Sequence, residues 1–231
     1  MTPNNFKTAY QNSKIASENT AAARLVLGQR EIQTLKLLAA EIGYESSAKN
    51  MLLDLGCADR FLEPACNTES WIYRGLDYTD VNFEDGTFPV EDNSVDIAVS
   101  LAVIEHLRDP ENFISEVYRC LKPGGVVYLS TPNFRLDWKN FYNDPTHVRP
   151  YTPESLEQLL KLSGFTSVAS FPGLRCRNIS WYRGQNRFLK AYYLLPFRGD
   201  TAWHVPQFLK GHARSVFALG RKSMADSKVI D

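Results

Sequence analysis

The stretch that most constrains this chain is Met51-Leu52-Leu53-Asp54-Leu55-Gly56-Cys57-Ala58-Asp59-Arg60-Phe61, with Gly75-Leu76-Asp77 downstream. An apolar run without polar alternation is the pattern of a strand buried on both faces, as in a parallel sheet. Its ending in Asp-Leu-Gly puts a tight turn at the carboxyl edge, where a ligand can lie against bare backbone. A second apolar run ends in Asp77, about 20 positions beyond Gly56. At that spacing a neighbouring strand tip presents a carboxylate to the two hydroxyls of a ribose. The pair predicts a site for a nucleoside-containing cofactor. Ala58 and Arg60 stand where such loops usually carry further glycines, so the turn departs from the common pattern.

Apolar spacing elsewhere repeats the strand–helix alternation of a doubly wound sheet. Leu25, Ile32, Leu35, Leu38, Ala39 and Ile42 line one face of a helix over 21–42, which Gly43 stops. Strands follow over 51–55, 71–77, 95–100 and 126–130, with a short one near 81–83. A helix over 110–122 turns Phe113, Ile114, Val117 and Leu121 inward; Pro110 suits its first turn and Pro123-Gly124-Gly125 breaks it. After an irregular stretch over 131–150, Thr152 caps a helix with Pro153 at its first position and Glu154 where the dipole favours negative charge. That helix carries Leu156, Leu159 and Leu160 and stops at Gly164. Strands over 165–171 and 214–219 have no clear core-facing helix between them, which predicts an antiparallel pair. The expected fold is α/β: a doubly wound, mostly parallel, seven-stranded Rossmann-like sheet with an antiparallel last strand and an insertion before it. At 231 residues, one domain over 1–231 is expected, with an N-terminal helical segment (1–45) and an insertion (172–212).

Composition narrows the setting. Cys57, Cys66, Cys120 and Cys176 form no C-x-x-C pair and read as reduced thiols of a cytoplasmic protein. Residues 1–20 are polar, so neither a signal peptide nor a membrane-spanning helix is expected. Formal net charge is +0, yet from Arg175 to Lys222 ten Lys or Arg residues accompany a single acidic one, Asp200.

Further motifs follow the first two in order: Phe88-Pro89-x-x-Asp92-Asn93-Ser94-x-Asp96, Ile104-Glu105-His106-Leu107 and Leu121-Lys122-Pro123-Gly124-Gly125. The ordered set, over roughly 50–171, resembles the class I S-adenosylmethionine-dependent methyltransferases. The resemblance implies S-adenosylmethionine as cofactor, with Asp54, Gly56, Cys57 and Ala58 beside its methionine portion and Asp77 on its ribose. It puts Glu84 or Asp85 near the adenine, and Ser100 and Leu101 under the sulfonium. A solvated loop accounts for Glu84 and Asp85 equally well.

Ala58 adds a methyl group where glycine allows the closest approach, a small obstacle if its φ is negative. Arg60 either turns its guanidinium toward the cofactor's carboxylate or points into water. Methyl transfer requires a nucleophile held in line with the sulfonium and stripped of water, and a hydroxyl nucleophile gains from a base. The candidate catalytic residues are His147 and His106. For His106, packing against Glu105 or backbone is the favoured alternative. His147 lies in the Pro-bounded run Asp144-Pro145-Thr146-His147-Val148-Arg149-Pro150-Tyr151, a costly loop to order without a ligand. Its continuation, His-x-Arg-Pro-Tyr-Thr-Pro-Glu-Ser-Leu, resembles a segment of methyltransferases in bacterial cell-surface glycan pathways. No metal site is expected, because the acidic clusters lack histidine partners and the histidines are scattered.

The 172–212 insertion interleaves basic residues such as Arg183 and Arg187 with aromatics such as Trp181, Tyr182 and Trp203. Such a mixture suits an anionic ligand: a nucleotide-sugar, a phosphorylated glycan, a lipid head group or RNA. Residues 189–197 are apolar enough for peripheral membrane contact. A lid or dimer interface with a solvated basic rim accounts for the segment as well, with nucleic acid behind both. The expected activity is methyl transfer from S-adenosylmethionine to an O or N atom of a small-molecule or glycan-type acceptor. Two alternatives stay open: a protein that binds S-adenosylmethionine without transfer, and an RNA methyltransferase. A nicotinamide oxidoreductase is disfavoured, because the turn lacks G-x-G-x-x-G.

Overall fold

The computed structural model of the chain describes residues 21–173 and 214–224. Residues 1–20, Cys176 and all but the first two positions of the 172–212 insertion lie outside the described residues, so the lid, membrane and partner expectations for that insertion do too. Six strands form one sheet: β1 (Met51–Leu55), β2 (Ile72–Leu76), β3 (Val95–Leu101), β4 (Leu121–Pro132), β5 (Thr166–Gly173) and β6 (Ser215–Arg221). Their order is β2-β1-β3-β4-β6-β5. β1 pairs in parallel with β2 and β3, and β3 with β4. β6 is wedged antiparallel between β4 and β5, which realises the expected antiparallel closing pair.

Helices cover both faces because strand side chains alternate between them. Leu53, Leu55, Ala98, Val127 and Leu129 pack with Phe113, Ile114 and Val117 of α3 (Glu111–Cys120) and with Leu156 and Leu160 of α5 (Pro153–Leu162). Leu52, Ile97, Val99 and Val126 pack with Ile32, Leu35 and Leu38 of α1 (Ala21–Glu41) and with Ala65 and Cys66 of α2 (Glu63–Thr68). Gly28 lets α1 come in close, since a Cβ there would lie 2.6 Å from the Phe61 carbonyl oxygen. α5 begins as expected, with Thr152 accepting from the Ser155 amide at 3.2 Å and the Thr152 amide donating back to Ser155 Oγ at 2.9 Å. A cap of this kind contributes about 1 kcal/mol.

Three expectations change. The 81–83 segment is no strand, which leaves six among the described residues rather than seven. Its backbone is committed locally: the Asp80 and Val81 amides donate to the Asp77 carbonyl and the Gly86 amide to that of Asn82. Phe83 is drawn instead into an aromatic cluster with Phe88 and Phe113. Second, the helix expected to run to Lys122 and be broken by Pro123-Gly124-Gly125 ends at Cys120, and that tripeptide lies inside β4. β4 runs through it as a bulge, its register on β3 jumping from Val95↔Leu121 to Ile97↔Val126. Third, the 131–150 stretch carries a short helix, α4 (Phe134–Phe141).

From the centre of the sheet, β1 and β2 progress one way and β3 and β4 the other. The order therefore reverses between β1 and β3, and such a reversal opens a crevice outside the carboxyl ends of the strands.

Candidate functional site

The turn after β1 keeps a left-handed path without the glycines that usually carry one. Gly56 has φ +78°, and the two following alternate positions, Ala58 and Arg60, have φ 42° and 57°. An L-residue in this region costs roughly 1–2 kcal/mol, so two side chains hold a shape that glycine would adopt without strain. The negative φ under which Ala58 would be only a small obstacle is thus not the one it adopts. Gly56 is sterically required as well, because a Cβ there would meet Val103 Cγ2 at 2.3 Å.

This turn is fastened to the tip of β2. The Gly56 and Cys57 amides donate to the Leu76 carbonyl at 2.8 and 3.2 Å. The Ala58 amide donates to Asp77 Oδ2 at 3.1 Å, and the Tyr78 amide donates to Oδ1 at 2.7 Å. Backbone amides therefore aim the Asp77 carboxylate, while each of its oxygens keeps a second lone-pair direction. Cys57 is buried, and burial pushes its thiol up to about 11, so it is no nucleophile at neutral pH.

Beneath the turn, Asp54 is 3% exposed and accepts from the Tyr73 hydroxyl at 2.8 Å. Burial raises its carboxyl to about 7; the Tyr73 hydrogen bond lowers it and the Asp77 charge raises it further. Arg60 has acquired two partners that the sequence did not announce. Its Nε donates to Glu63 Oε2 at 2.9 Å, and its guanidinium lies over the Tyr73 ring at 5.1 Å. A cofactor carboxylate would have to share it with Glu63.

On the far side of Asp77, Glu84 and Asp85 part company. Glu84 Oε1 accepts from the Arg108 amide at 2.6 Å, bridging to the loop after β3, whereas Asp85 is exposed. Ser100, at the end of β3, is buried with its Oγ lacking a hydrogen-bond partner, and Leu101 beside it is half-buried. Ala102 then turns left-handed, with φ 57°. An unmatched buried hydroxyl costs about 1–3 kcal/mol, which a ligand in the crevice can offset.

Beyond β3, the chain brings together residues that the sequence kept apart. The His106 and His147 rings lie 4.8 Å apart, and Glu105, His106 and His147 form a cluster that can hold a metal ion. The expectation that histidines are scattered and lack acidic partners is therefore corrected. Packing supplies the reason: the Val148 and Arg149 amides both donate to the Glu105 carbonyl, folding the 144–150 loop back onto the end of β3. His106 Nδ1 sits 3.1 Å from the Thr146 carbonyl oxygen, the backbone pairing foreseen for it. His147 lies on Phe141, with ring centroids 4.6 Å apart and Nδ1 at 2.7 Å from the Phe141 carbonyl oxygen. These bonds tie the loop to the end of β3 and to Phe141 from within the chain. Sequence reasoning did not single out Tyr73, which donates to Asp54, or give Glu105 a role of its own, although Glu105 stands inside the Ile-Glu-His-Leu motif.

Comparison with known proteins follows this geometry. A family model described as a methyltransferase domain matches residues 27–170. A probable S-adenosylmethionine-dependent methyltransferase of Mycolicibacterium smegmatis is 42% identical over 80 residues, 33% of this chain and 31% of that protein. A mitochondrial ubiquinone biosynthesis O-methyltransferase of Dictyostelium discoideum is 33% identical over 95 residues, 40% of this chain and 28% of that protein. The matched stretches thus span about a third or less of these relatives' own length. Among solved structures, a SAM-dependent methyltransferase from Archaeoglobus fulgidus shares the fold, with TM-score 0.55 at 20% identity over 84% of this chain and 94% of that one.

Proposed function

The chain belongs to the S-adenosylmethionine-dependent methyltransferases, the family whose domain model spans residues 27–170, and from that premise we propose that it methylates an oxygen or nitrogen of a small-molecule or glycan-type acceptor. The observation that carries this reading is the bond between the β1 turn and the β2 tip, Ala58 amide to Asp77 Oδ2 at 3.1 Å. It joins one carboxylate to a turn whose alternate positions, Gly56, Ala58 and Arg60, are left-handed. The residues fit the cofactor: Asp77 for the ribose hydroxyls, the 56–58 backbone for the methionine end, Glu84 at the adenine side, and the buried Ser100 Oγ with Leu101 beneath the sulfonium. Arg60, held by Glu63 and Tyr73, keeps the turn in shape.

S-adenosylmethionine supplies an electrophilic methyl group: the bond to the acceptor forms as the S–C bond breaks, leaving a neutral thioether. The chain's share is to hold both partners in line, exclude water and receive the acceptor's proton. For that last task the reading takes His147, supported by its Nδ1 contact with the Phe141 carbonyl: a neutral ring with its proton there has its basic nitrogen at Nε2. The name of the ubiquinone-pathway relative favours a hydroxyl acceptor over an amine.

The test is transfer of labelled methyl to a panel of phenols, sugars and amines. The wild type should turn over at least one hydroxyl acceptor, and His147→Gln should lower kcat by about 10²–10⁴ while leaving S-adenosylhomocysteine affinity unchanged. Binding of S-adenosylhomocysteine without turnover of any acceptor would overturn the transfer reading in favour of a binding protein.

A further inference from the structure

Asn133, the residue next after β4, is 2% exposed, and Tyr151, shortly before α5, is 4% exposed. Asn133 Oδ1 and Tyr151 Oη are both buried without a hydrogen-bond partner. We infer that this pair binds a hydroxyl of the acceptor adjacent to the one that is methylated, which makes the acceptor a vicinal diol, either a sugar or a catechol. The inference rests on the methyl-transfer reading and names the substrate class of that same site.

The fold brings the two side chains together at the carboxyl edge of the sheet. Asn133 and Tyr151 form an isolated parallel bridge, and the Phe134 amide donates to the Tyr151 carbonyl at 2.9 Å. Residues paired across neighbouring strands project to the same face. Val127 and Leu129 of β4 pack into the cluster that contains Tyr151, and alternation carries Asn133 to that side as well. Ser100, two positions beyond Ala98 of the same cluster, is on that face too. The pair thus shares a face with the residue assigned beneath the sulfonium. Tyr151 also follows directly on the loop that carries His147.

Asn133 occupies the N-cap of α4, where an asparagine side chain usually accepts from the first amides of the helix, yet it makes no such bond. Burial pushes the Tyr151 hydroxyl up to about 12, against the nearby Arg149 charge and with that of Glu105, so it stays a neutral O–H near neutral pH. Leaving a buried oxygen unmatched is costly, and two on one face are a cost that a ligand removes. One hydroxyl serves both, giving its proton to Asn133 Oδ1 and accepting that of Tyr151 Oη. A second hydroxyl on the adjacent carbon is then left to take the methyl, which an acceptor with a single hydroxyl cannot provide. Both protein oxygens are closed to solvent, so the diol enters as the exposed Val148 and Arg149 ahead of Tyr151 give way.

The experiment titrates the full chain by calorimetry, with and without S-adenosylhomocysteine, against matched compounds: catechol with phenol, and cyclohexane-1,2-diol with cyclohexanol. In one of these pairs the diol should bind at least about 10-fold tighter than its monohydroxy partner, and which pair does so tells a catechol acceptor from a sugar-like one. Tyr151→Phe removes only the unpartnered hydroxyl. It should bring that preference to within about twofold while the thermal midpoint stays the same or rises. Asn133→Ala should abolish the preference likewise, with an unchanged far-UV spectrum showing that it folds. A pair completed by a trapped water behaves in the opposite way: Tyr151→Phe would lower the thermal midpoint and keep the preference, which overturns the proposal. Equal binding of diol and monohydroxy compound in both pairs overturns it as well. S-adenosylhomocysteine binding without a diol preference removes the diol site alone; a diol preference without S-adenosylhomocysteine binding removes the methyl-transfer reading and leaves the site.

Discussion

Replacing Asp54 with asparagine should make the protein's stability markedly less sensitive to pH. The Asp54 carboxyl is raised from 3.8 to about 7, chiefly by burial under the β1 turn. With the folded value above the unfolded one, its contribution to stability is fully present below about pH 4 and is lost as pH rises through 7. Each unit of difference corresponds to about 1.4 kcal/mol. Of the roughly three units between the two states, about two are expressed between pH 5 and pH 8. The wild type should therefore lose about 2–3 kcal/mol from this one group across that range. Asparagine keeps an acceptor for the Tyr73 hydroxyl and has no proton to lose. Urea denaturation at both pH values, followed by circular dichroism, measures the difference. Asp54→Asn should gain about 2–3 kcal/mol on the wild type in going from pH 5 to pH 8. A change below about 0.5 kcal/mol would mean that Asp54 is already ionised in the folded protein at pH 5, and the burial argument would fail.

Two further substitutions probe the turn itself. Ala58→Gly relieves a left-handed strain of about 1–2 kcal/mol and adds about 0.5–1 kcal/mol of unfolded-state entropy, so a net gain of about 0.5–1 kcal/mol is expected in denaturant melts. A loss of stability would show that Ala58 does not adopt φ 42°. Arg60→Ala removes an exposed ion pair with Glu63, side chains 47% and 40% exposed, and should change stability by less than about 1 kcal/mol. Its S-adenosylhomocysteine affinity should stay within about threefold of the wild type; a loss of 1.5–3 kcal/mol, more than about tenfold, would instead put the guanidinium on the cofactor's carboxylate.

Much of the sheet was legible because its signals are local. Buried runs such as Met51–Leu55 and Val95–Leu101 carry too few polar groups to be anything but central strands, and Thr152-Pro153-Glu154 spells a helix start. The 81–83 segment misled because its apolar residues answer to an aromatic cluster contributed by distant positions, which no local pattern contains. The Asp77 spacing pointed to a cofactor crevice, yet the backbone of Ala58 and Arg60 was illegible: neither side chain announces a positive φ. The histidine cluster escaped for a different reason. Glu105 and His106 sit on β3's exit and His147 in a loop long after β4, and only the folding of that loop onto the Glu105 carbonyl joins them.

Calorimetric titration of the wild type and Asp77→Ala with S-adenosylhomocysteine tests the central claim most directly. The wild type should bind one equivalent, and losing charge-assisted bonds to the ribose should cost about 1.5–3 kcal/mol, a rise in Kd of roughly 10- to 150-fold. No binding by the wild type, or equal binding by Asp77→Ala, would contradict the account.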